Sequence, residues 1–318
     1  MADKRIAVVI PCYRVKAQVA QVIQGIGPEV SWIICVDDAC PDGSGEFIRE
    51  QVRDPRVSVI RLERNQGVGG ATSAGYRAAL EKQADVVVKL DGDGQMDPKL
   101  IPALVKPILG GSADYTKGNR FYNIEDVAAM PLPRLLGNAF LSFASKFSSG
   151  YWSVLDPTNG FTAVHGRVLA LLPLAKLSPR WFFESDMLFR LNTIGAVIAD
   201  VPMRAVYVGE KSNLNALGVI PEFAWKHFRN YLKRIFYNYF LRGFSIASVE
   251  LLAGLALLGF GIVYGAMKWE SSVSHQAFAS AGTVMLAALP VILGFQLVLS
   301  FLSFDMQSAP TTPLQGRL

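Results

Sequence analysis

Cysteine and histidine are scarce in this chain of 318 residues, with three of each. Cys12, Cys35 and Cys40 are odd in number and keep no metal-ligand spacing with His165, His227 or His275. That excludes a disulfide framework and a Cys/His zinc site, and leaves the cysteines as reduced packing residues of a cytoplasmic domain. The histidines sit in unrelated contexts and are read as non-catalytic. Charge is thin as well, at 18% of residues. It nearly vanishes late in the chain, where Lys268 and Glu270 are the only charges between Leu251 and Phe304. No amino-terminal leader is expected, because the first apolar run, Ile6–Ile10, is short and is followed at once by Pro11. Two phosphate-binding fingerprints are missing too. The stretch Gly67-Val-Gly69-Gly70 has Thr72 where the dinucleotide fingerprint needs its third glycine, and no Gly-Lys-Ser/Thr follows it.

What the chain does have is apolar surface, 51% of residues and a mean hydropathy of +0.29, concentrated in two late runs. Phe244–Met267 is apolar apart from Glu250 and a few serines, and Ala277–Phe304 carries no charge. Each exceeds the roughly 20 residues that cross a hydrocarbon core of about 30 Å. A buried core helix pair is the plainer alternative, but a short polar link between the runs favours a membrane hairpin, with spans at 244–267 and 280–304. Glu250, near the start of the first span, is expected to face a neighbouring helix or the head groups. The net charge is +5, and Lys226, Arg229, Lys233, Arg234 and Arg242 crowd the segment before the first span. The positive-inside rule then puts the large amino-terminal domain on the cytoplasmic side of a multi-pass inner-membrane protein. Charge abutting a span, instead of patterning a domain face, argues against a nucleic-acid partner. Within Val219–Leu241 the cations interleave with Phe223, Trp225, Phe228, Tyr231, Phe236, Tyr237, Tyr239 and Phe240. Such a segment suits the membrane interface, with cations reaching anionic lipid phosphates. The expected division is an α/β domain at 1–215, amphipathic juxtamembrane helices at 216–243, two transmembrane helices within 244–304 and a cytoplasmic tail at 305–318.

The α/β domain is organised around Asp85-Val-Val-Val-Lys-Leu-Asp91-Gly-Asp93-Gly-Gln95. Its apolar half reads as a buried strand bounded by turn formers. Before it, strands at Arg5–Ile10, Ser31–Val36 and Val57–Leu62 alternate with helices at Val15–Ile26, Gly45–Arg53 and from the Gly67–Gly70 loop to Gln83. That alternation implies a mainly parallel, Rossmann-like sheet with right-handed crossovers. Ligands bind such sheets outside the carboxyl ends of the strands. Three strand ends therefore bring Pro11 and Tyr13, Asp37 and Asp38, and Asp91 and Asp93 to one edge. Asp91 and Asp93 offer hard oxygen ligands and Gln95 a neutral one. Mg²⁺ or Mn²⁺ usually takes one or two carboxylates and completes its shell with substrate phosphate oxygens. An isolated D-x-D would be read as a solvated Asx turn; its place at a strand end reverses that prior. The Gly67–Gly70 loop admits two readings, an anion on free backbone N–H groups or tight strand-to-helix packing.

The ordered series Ile10-Pro-Cys-Tyr13, Val36-Asp-Asp38, Pro41-Asp-Gly-Ser44, Asn65-Gln-Gly-Val-Gly-Gly70 and Asp91-Gly-Asp-Gly-Gln95 resembles the family 2 glycosyltransferases of GT-A fold. It is most similar to the dolichol-phosphate mannosyltransferase and bacterial polyprenyl-phosphate glycosyltransferase branch. The likeness covers about the first two-thirds of the chain and continues through Lys117-Gly-Asn-Arg120, Asp156-Pro-Thr-Asn159-Gly-Phe161 and Phe183-Glu-Ser-Asp186. It implies a nucleotide site at Pro11, Tyr13, Asp37, Asp38 and Asp91, and a divalent cation (Mg²⁺ or Mn²⁺) on Asp91, Asp93 and Gln95. Asp93, Arg120 and Asp156 are the implied catalytic residues, and Asn159, Glu184, Lys211 and Ser212 the implied acceptor or lid residues, with a mobile lid at Gly209–Asn215. Glu184 and Asp186 also suit the start of a helix at Ser185–Thr193, where the dipole favours acids. Two positions depart from the family pattern. Val15 replaces an acid near the nucleotide, and Tyr207 replaces an arginine, so the resemblance does not single out a mannosyl donor. The implied activity is inverting transfer of a sugar from a UDP- or GDP-linked donor to polyprenyl phosphate. Another glycolipid or polysaccharide acceptor is the nearest rival, and an inactive partner of a flippase or assembly complex the rival of another class. Membrane lipids, a homo-oligomer, a lipid flippase and a downstream glycosyltransferase are further candidate partners.

Overall fold

The computed structural model describes residues 4–122, 132–204 and 216–318. The first half alternates strand and helix: β1 (Ile6–Cys12), α1 (Val19–Gln24), β2 (Val30–Asp37), α2 (Ser44–Gln51), β3 (Val57–Arg61), α3 (Val68–Glu81) and β4 (Val86–Lys89). These four strands lie parallel in the order β3-β2-β1-β4, with Val8 between Ile33 of β2 and Val88 of β4. Successive side chains of a strand point to opposite faces. Val8 and Ile10 accordingly enter one apolar core, and Ala7 and Val9 the other. Both faces are covered, which is why these strands read as unbroken apolar runs.

After α4 (Ile101–Leu109) come β5 (Tyr115–Asn119), α5 (Leu132–Ser149), β6 (Thr162–His165), α6 (Gly166–Ala170), α7 (Phe183–Ile194) and β7 (Ile198–Pro202), with α8 (Ala216–Ile235) after the last strand. The strands among them extend the sheet to β3-β2-β1-β4-β6-β5-β7, a mixed, mostly parallel α/β architecture. Among the described strands only β6 runs antiparallel to its neighbours. Consequently β5 runs in the direction of β4, and both deliver their carboxyl ends, Arg120 and Asp91, to one edge. The segment leading into β6, Asn159 to Phe161, starts from that same edge.

Most elements lie within a residue or two of their expected bounds. The expected Val15–Ile26 helix is shorter, because Arg14 takes a left-handed φ of +58° and the chain only enters α1 at Val19.

The chain divides into two compact units, Met1–Leu232 with Pro310–Leu318, and Lys233–Ala309. In the first, the final residues return to the sheet. The fully buried Asp114 accepts backbone N–H bonds from Val197 (2.8 Å) and Leu314 (2.7 Å) on Oδ2 and from Gln315 (2.7 Å) on Oδ1. The second unit holds a π-helical stretch, Phe236–Arg242, and the helices α9 (Ile246–Ser274) and α10 (Ala281–Gln307), each long and apolar enough to span a membrane. They approach closely where Gly254 and Gly294 meet: a Cβ on Gly294 would lie 2.8 Å from the Gly254 carbonyl oxygen. Small residues at that crossing let the two backbones come together. Glu250 faces its neighbour, accepting from the Ser300 hydroxyl at 3.0 Å.

Arg234 departs from the sequence reading. Instead of reaching lipid phosphates it is buried, its guanidinium forked onto Asp305 at 2.5 and 2.8 Å, with the Tyr239 hydroxyl 2.7 Å from the same carboxylate. A planar fork matches a carboxylate in a way an ammonium does not.

Candidate active site

The loops after β1, β2, β3 and β4 enclose a cavity of about 410 Å³. Pro11, Tyr13, Asp38, Asp91 and Asp93 line it, as the sequence implied, together with Arg14, Arg180 and Trp181. Tyr13 is 42% exposed, and the Arg14 guanidinium stands 5.4 Å from its ring centre. A second cavity of about 270 Å³ adjoins it. Lys89, Thr158, Glu184 and His227 give its lining polar groups, and Leu141 and Phe223 apolar surface. Val68, Asp91 and Trp181 line both cavities.

Asp37 and Asp38, consecutive in sequence, do different things. Asp37 is buried beneath the loop, accepting from the Cys40 N–H at 2.8 Å, and it does not line the cavity. A Cβ on Gly45 would fall 2.4 Å from its Oδ2, so the glycine is what lets α2 start there. Asp38 ties two strand-end loops together, Oδ1 accepting from Gln66 N–H and Oδ2 from Gly67 N–H, both at 2.7 Å. Burial raises its carboxyl above the usual range, and those two N–H groups and Arg180 hold the rise back.

Lys89 was not anticipated. It lies within β4, 1% exposed, and its ammonium sits 2.8 Å from Asp91 Oδ1 and 3.3 Å from Glu184 Oε1. Burial alone would favour the neutral amine, but the Asp91 and Glu184 carboxylates outweigh it and raise the amine's pKa. Gly160 makes room for this group: a Cβ there would lie 2.6 Å from both Asp91 Oδ2 and Lys89 Nζ. A lysine inside an apolar strand run was the available signal, since a buried charge needs a partner.

Arg120 and Asp156 come together as a forked pair. Arg120 Nε and Nη2 donate to Asp156 Oδ2 and Oδ1 at 2.7 and 3.0 Å, and its backbone N–H adds a third bond at 3.2 Å. Asp156 is fully buried, so its carboxylate positions Arg120 at the strand end. Asn159 is also structural, its Oδ1 accepting from Phe161 N–H at 2.9 Å and its amide contacting Met203 Sδ. Beneath them Lys117 of β5, fully buried, donates to the Asn159 carbonyl, and burial pushes its amine down to about 8. Lys211, Ser212 and the expected lid at 209–215 lie outside the described residues.

The donor set suits a divalent cation shared with a substrate. Asp93 lines the first cavity, with Oδ1 accepting from the Gln95 N–H at 3.0 Å, and Asp91 adjoins it. Gln95 does not line either cavity. Among the described residues no cluster of three or more His, Cys, Asp or Glu could cage a metal. Two carboxylates at a cavity wall fit the Mg²⁺ or Mn²⁺ pattern in which phosphate oxygens complete the shell.

Arg14, Arg180 and Trp181 were missed as well. Arg180 and Trp181 belong to the segment before α7, and no local pattern ties them to the early loops. The contact is three-dimensional: Gly70 N–H donates to the Pro179 carbonyl at 2.9 Å, and a Cβ on Gly67 would lie 2.7 Å from that oxygen. The glycines therefore serve close packing, but against the Ser178–Arg180 segment and the start of α7 instead of the expected strand-to-helix packing.

The family model described as "Glycosyl transferase family 2" matches residues 7–170, just over half of the chain. The chain is 31% identical, over 65% of its length and 88% of the relative's, to a UDP-N-acetylglucosamine–dolichyl-phosphate N-acetylglucosaminyltransferase of Methanococcus voltae. It is 31% identical to an undecaprenyl-phosphate mannosyltransferase of Micrococcus luteus, over 55% of this chain and 71% of that one. With a polyprenol monophosphomannose synthase of Mycolicibacterium smegmatis it shares 29% identity, over 63% and 77%. Among solved structures, glucosyl-3-phosphoglycerate synthase of Mycobacterium tuberculosis in complex with UDP superposes with a TM-score of 0.55 at 22% identity, covering 73% of this chain and 80% of that one.

Proposed function

The chain belongs to glycosyl transferase family 2, and from that premise we propose that it moves a sugar from a nucleotide sugar to polyprenyl phosphate at a membrane surface. One observation carries the reading. A cavity at the carboxyl ends of the parallel strands, carrying Arg14, Asp38, Asp91, Asp93 and Arg180, adjoins a more apolar one, and Asp91 lines both. The first suits a nucleoside diphosphate, the second a lipid-linked phosphate. The names of the relatives, three of which act on dolichyl, undecaprenyl or polyprenol phosphate, support this acceptor class.

Pro11, Tyr13 and Asp38 hold the nucleoside, and Arg14 and Arg180 face the diphosphate. Asp91 and Asp93 would hold Mg²⁺ or Mn²⁺, which would supply Lewis-acid stabilisation of charge on a diphosphate leaving group. An acceptor phosphate is already ionised at neutral pH and needs no strong base. The carboxylates lining the second cavity, Asp91 and Glu184, both lie on Lys89, and Asp156 is held by Arg120. Asp91 and Glu184 position the reactants instead of removing a proton, and Asp156 acts through Arg120. In-line attack by an acceptor phosphate oxygen on the anomeric carbon, opposite the bond to the departing nucleoside diphosphate, would form the new phosphoester as that bond breaks and so invert the centre.

Helices α9 and α10 then form a transmembrane hairpin with the catalytic unit on the cytoplasmic side, and Arg229, Lys233 and the exposed Trp225 and Phe228 lie in the interface. The test is transfer of radiolabel from UDP-N-acetylglucosamine, UDP-glucose and GDP-mannose to undecaprenyl phosphate with Mg²⁺ or Mn²⁺. Metal-dependent appearance of label in the organic phase is expected. Transfer to a polysaccharide acceptor alone would overturn the acceptor, and nucleotide-sugar turnover by no member of a broad panel would overturn the enzyme.

A further inference from the structure

We propose that Trp181 is the sugar-recognition platform, the residue whose indole stacks on the pyranose ring as it passes from donor to acceptor. The inference rests on the transfer reading above and adds a residue and a role to it.

The transferred sugar is the one part of the reactants that must touch both cavities. It leaves a diphosphate in the first and ends on an acceptor in the second. Val68, Asp91 and Trp181 line both. Val68 opens helix α3 and offers a small aliphatic surface, and Asp91 is held by Lys89. Trp181 alone of the three presents a large flat face.

Packing does not account for this tryptophan. It is 55% exposed, whereas Phe182 and Phe183 beside it are buried. Phe182 packs edge-on against Phe223 and His227, with ring centres 5.3 and 4.7 Å apart. On its other side the backbone is fixed to the glycine loop: Gly70 N–H bonds to Pro179, and a Cβ on Gly69 would lie 2.1 Å from the Ser178 carbonyl oxygen. Trp181 is thus held rigidly at both shoulders, with its side chain left in solvent at the cavity junction. Among the described residues it has no aromatic partner.

The chemistry suits a hexopyranose. One face of the ring is a patch of C–H groups carrying slight positive charge, which meets the negative face of an aromatic system. The ring's hydroxyl edge would then point towards Asp91. A rigid aromatic also gives contact area at small entropic cost, so selectivity among sugars would follow from which face can lie flat on the indole.

The test uses the purified full chain with Trp181→Ala, Trp181→Leu and Trp181→Phe. Titrations with UDP and GDP read the nucleotide contact. Steady-state kinetics with the nucleotide sugar that the wild type uses read the sugar contact. Nucleoside diphosphate affinity should stay within about twofold in all three variants, while kcat/KM should fall about tenfold or more in Trp181→Ala and Trp181→Leu. Trp181→Phe should recover most of the loss, which an apolar but flat-faceless leucine should not. Leucine performing like tryptophan, or UDP and GDP affinity falling in step with transfer, would overturn the proposal. A wild type that transfers no sugar would defeat the function reading and this inference together. A wild type that transfers, with Trp181→Ala its equal, would defeat this inference alone.

Discussion

The ammonium of Lys89 lies 2.8 Å from Asp91 Oδ1 inside the fold, so the first carboxylate of the D-x-D series carries its own counter-charge. Its second contact, 3.3 Å to Glu184, joins β4 to the start of α7. Breaking a buried pair by removing one partner leaves an uncompensated charge, at about 3–5 kcal/mol. Lys89→Met should therefore lower the melting temperature by several degrees, and Lys89→Met with Glu184→Gln should recover part of that loss. A thermal-unfolding double-mutant cycle measures the coupling, and strictly additive changes would show that the two groups act independently.

Asp93 and Asp97 are both acids in the same loop, but only Asp93 lines the first cavity. Asp97 caps the turn at Pro98–Leu100, Oδ1 accepting from the Lys99 N–H at 3.0 Å. Asn caps a helix as well as Asp does, so Asp97→Asn should be nearly silent. Asp93→Asn removes a charge from the proposed cation site and should cost about 10²–10³-fold in turnover. Rates measured across a Mn²⁺ titration test the order; the reverse order would move the cation elsewhere.

The parallel half of the sheet was legible because β1, β2 and β4 are apolar runs closed by Pro, Asp or Gly, and because three of their ends carry polar residues. The strands β5 to β7 were not. Tyr115-Thr-Lys-Gly-Asn119 reads as polar, yet all five residues are buried. Lys117 is tolerated there because its amine reaches a carbonyl contributed 42 residues later. The site divides in the same way. Residues at strand ends were found, but their pairings, Arg120 with Asp156 and Lys89 with Glu184, depend on chain reversals with no local pattern. Asp37 shows the converse, a motif position whose carboxylate is buried beneath its own loop and does not line the cavity.

His227 gives the fold a pH dependence. It is 7% exposed, its Nδ1 lies 2.8 Å from the Ser148 hydroxyl, and burial pushes its imidazole down to about 4. An unfolded chain binds that proton near pH 6.5. Between those values the unfolded state therefore holds a proton that the folded state lacks, so stability rises with pH through the window and falls on acidification. The loss should approach about 3 kcal/mol by pH 4. Melting temperatures at pH 7 and pH 4.5 should differ less in His227→Gln than in the wild type. An unchanged difference would assign the acid sensitivity to other groups.

The basic segment before the hairpin should separate into two kinds of cation. Arg229 and Lys233 are exposed and, near an anionic surface, are each worth roughly 1 kcal/mol. Arg229→Glu with Lys233→Glu should weaken binding to vesicles containing phosphatidylglycerol and leave the melting temperature nearly unchanged. Arg234→Glu should do the opposite, because it sets a second acid beside the buried Asp305. Equal effects in both assays would mean that burial does not distinguish them.

Asp114 determines what becomes of the carboxyl-terminal residues. The chain leaves the catalytic unit at Leu232 and rejoins it at Pro310, where Asp114 accepts the N–H groups of Leu314 and Gln315. The proposed hairpin of two spans between departure and return would bring both of its ends to the same side of the membrane. A fluorescent reporter fused after Leu318 should consequently be bright in the cytoplasm, and alkaline phosphatase fused there should be inactive. Asp114→Asn refines the test, because an amide presents one acceptor where the carboxylate presents two. Its NH₂ group would face either the Gln315 N–H or those of Val197 and Leu314, and each buried donor left unpaired costs about 1–3 kcal/mol. The variant's last residues should become sensitive to carboxypeptidase in inside-out vesicles while the wild type resists. An active phosphatase fusion would overturn the hairpin, and a wild-type tail digested as fast as the variant's would overturn its anchoring at Asp114.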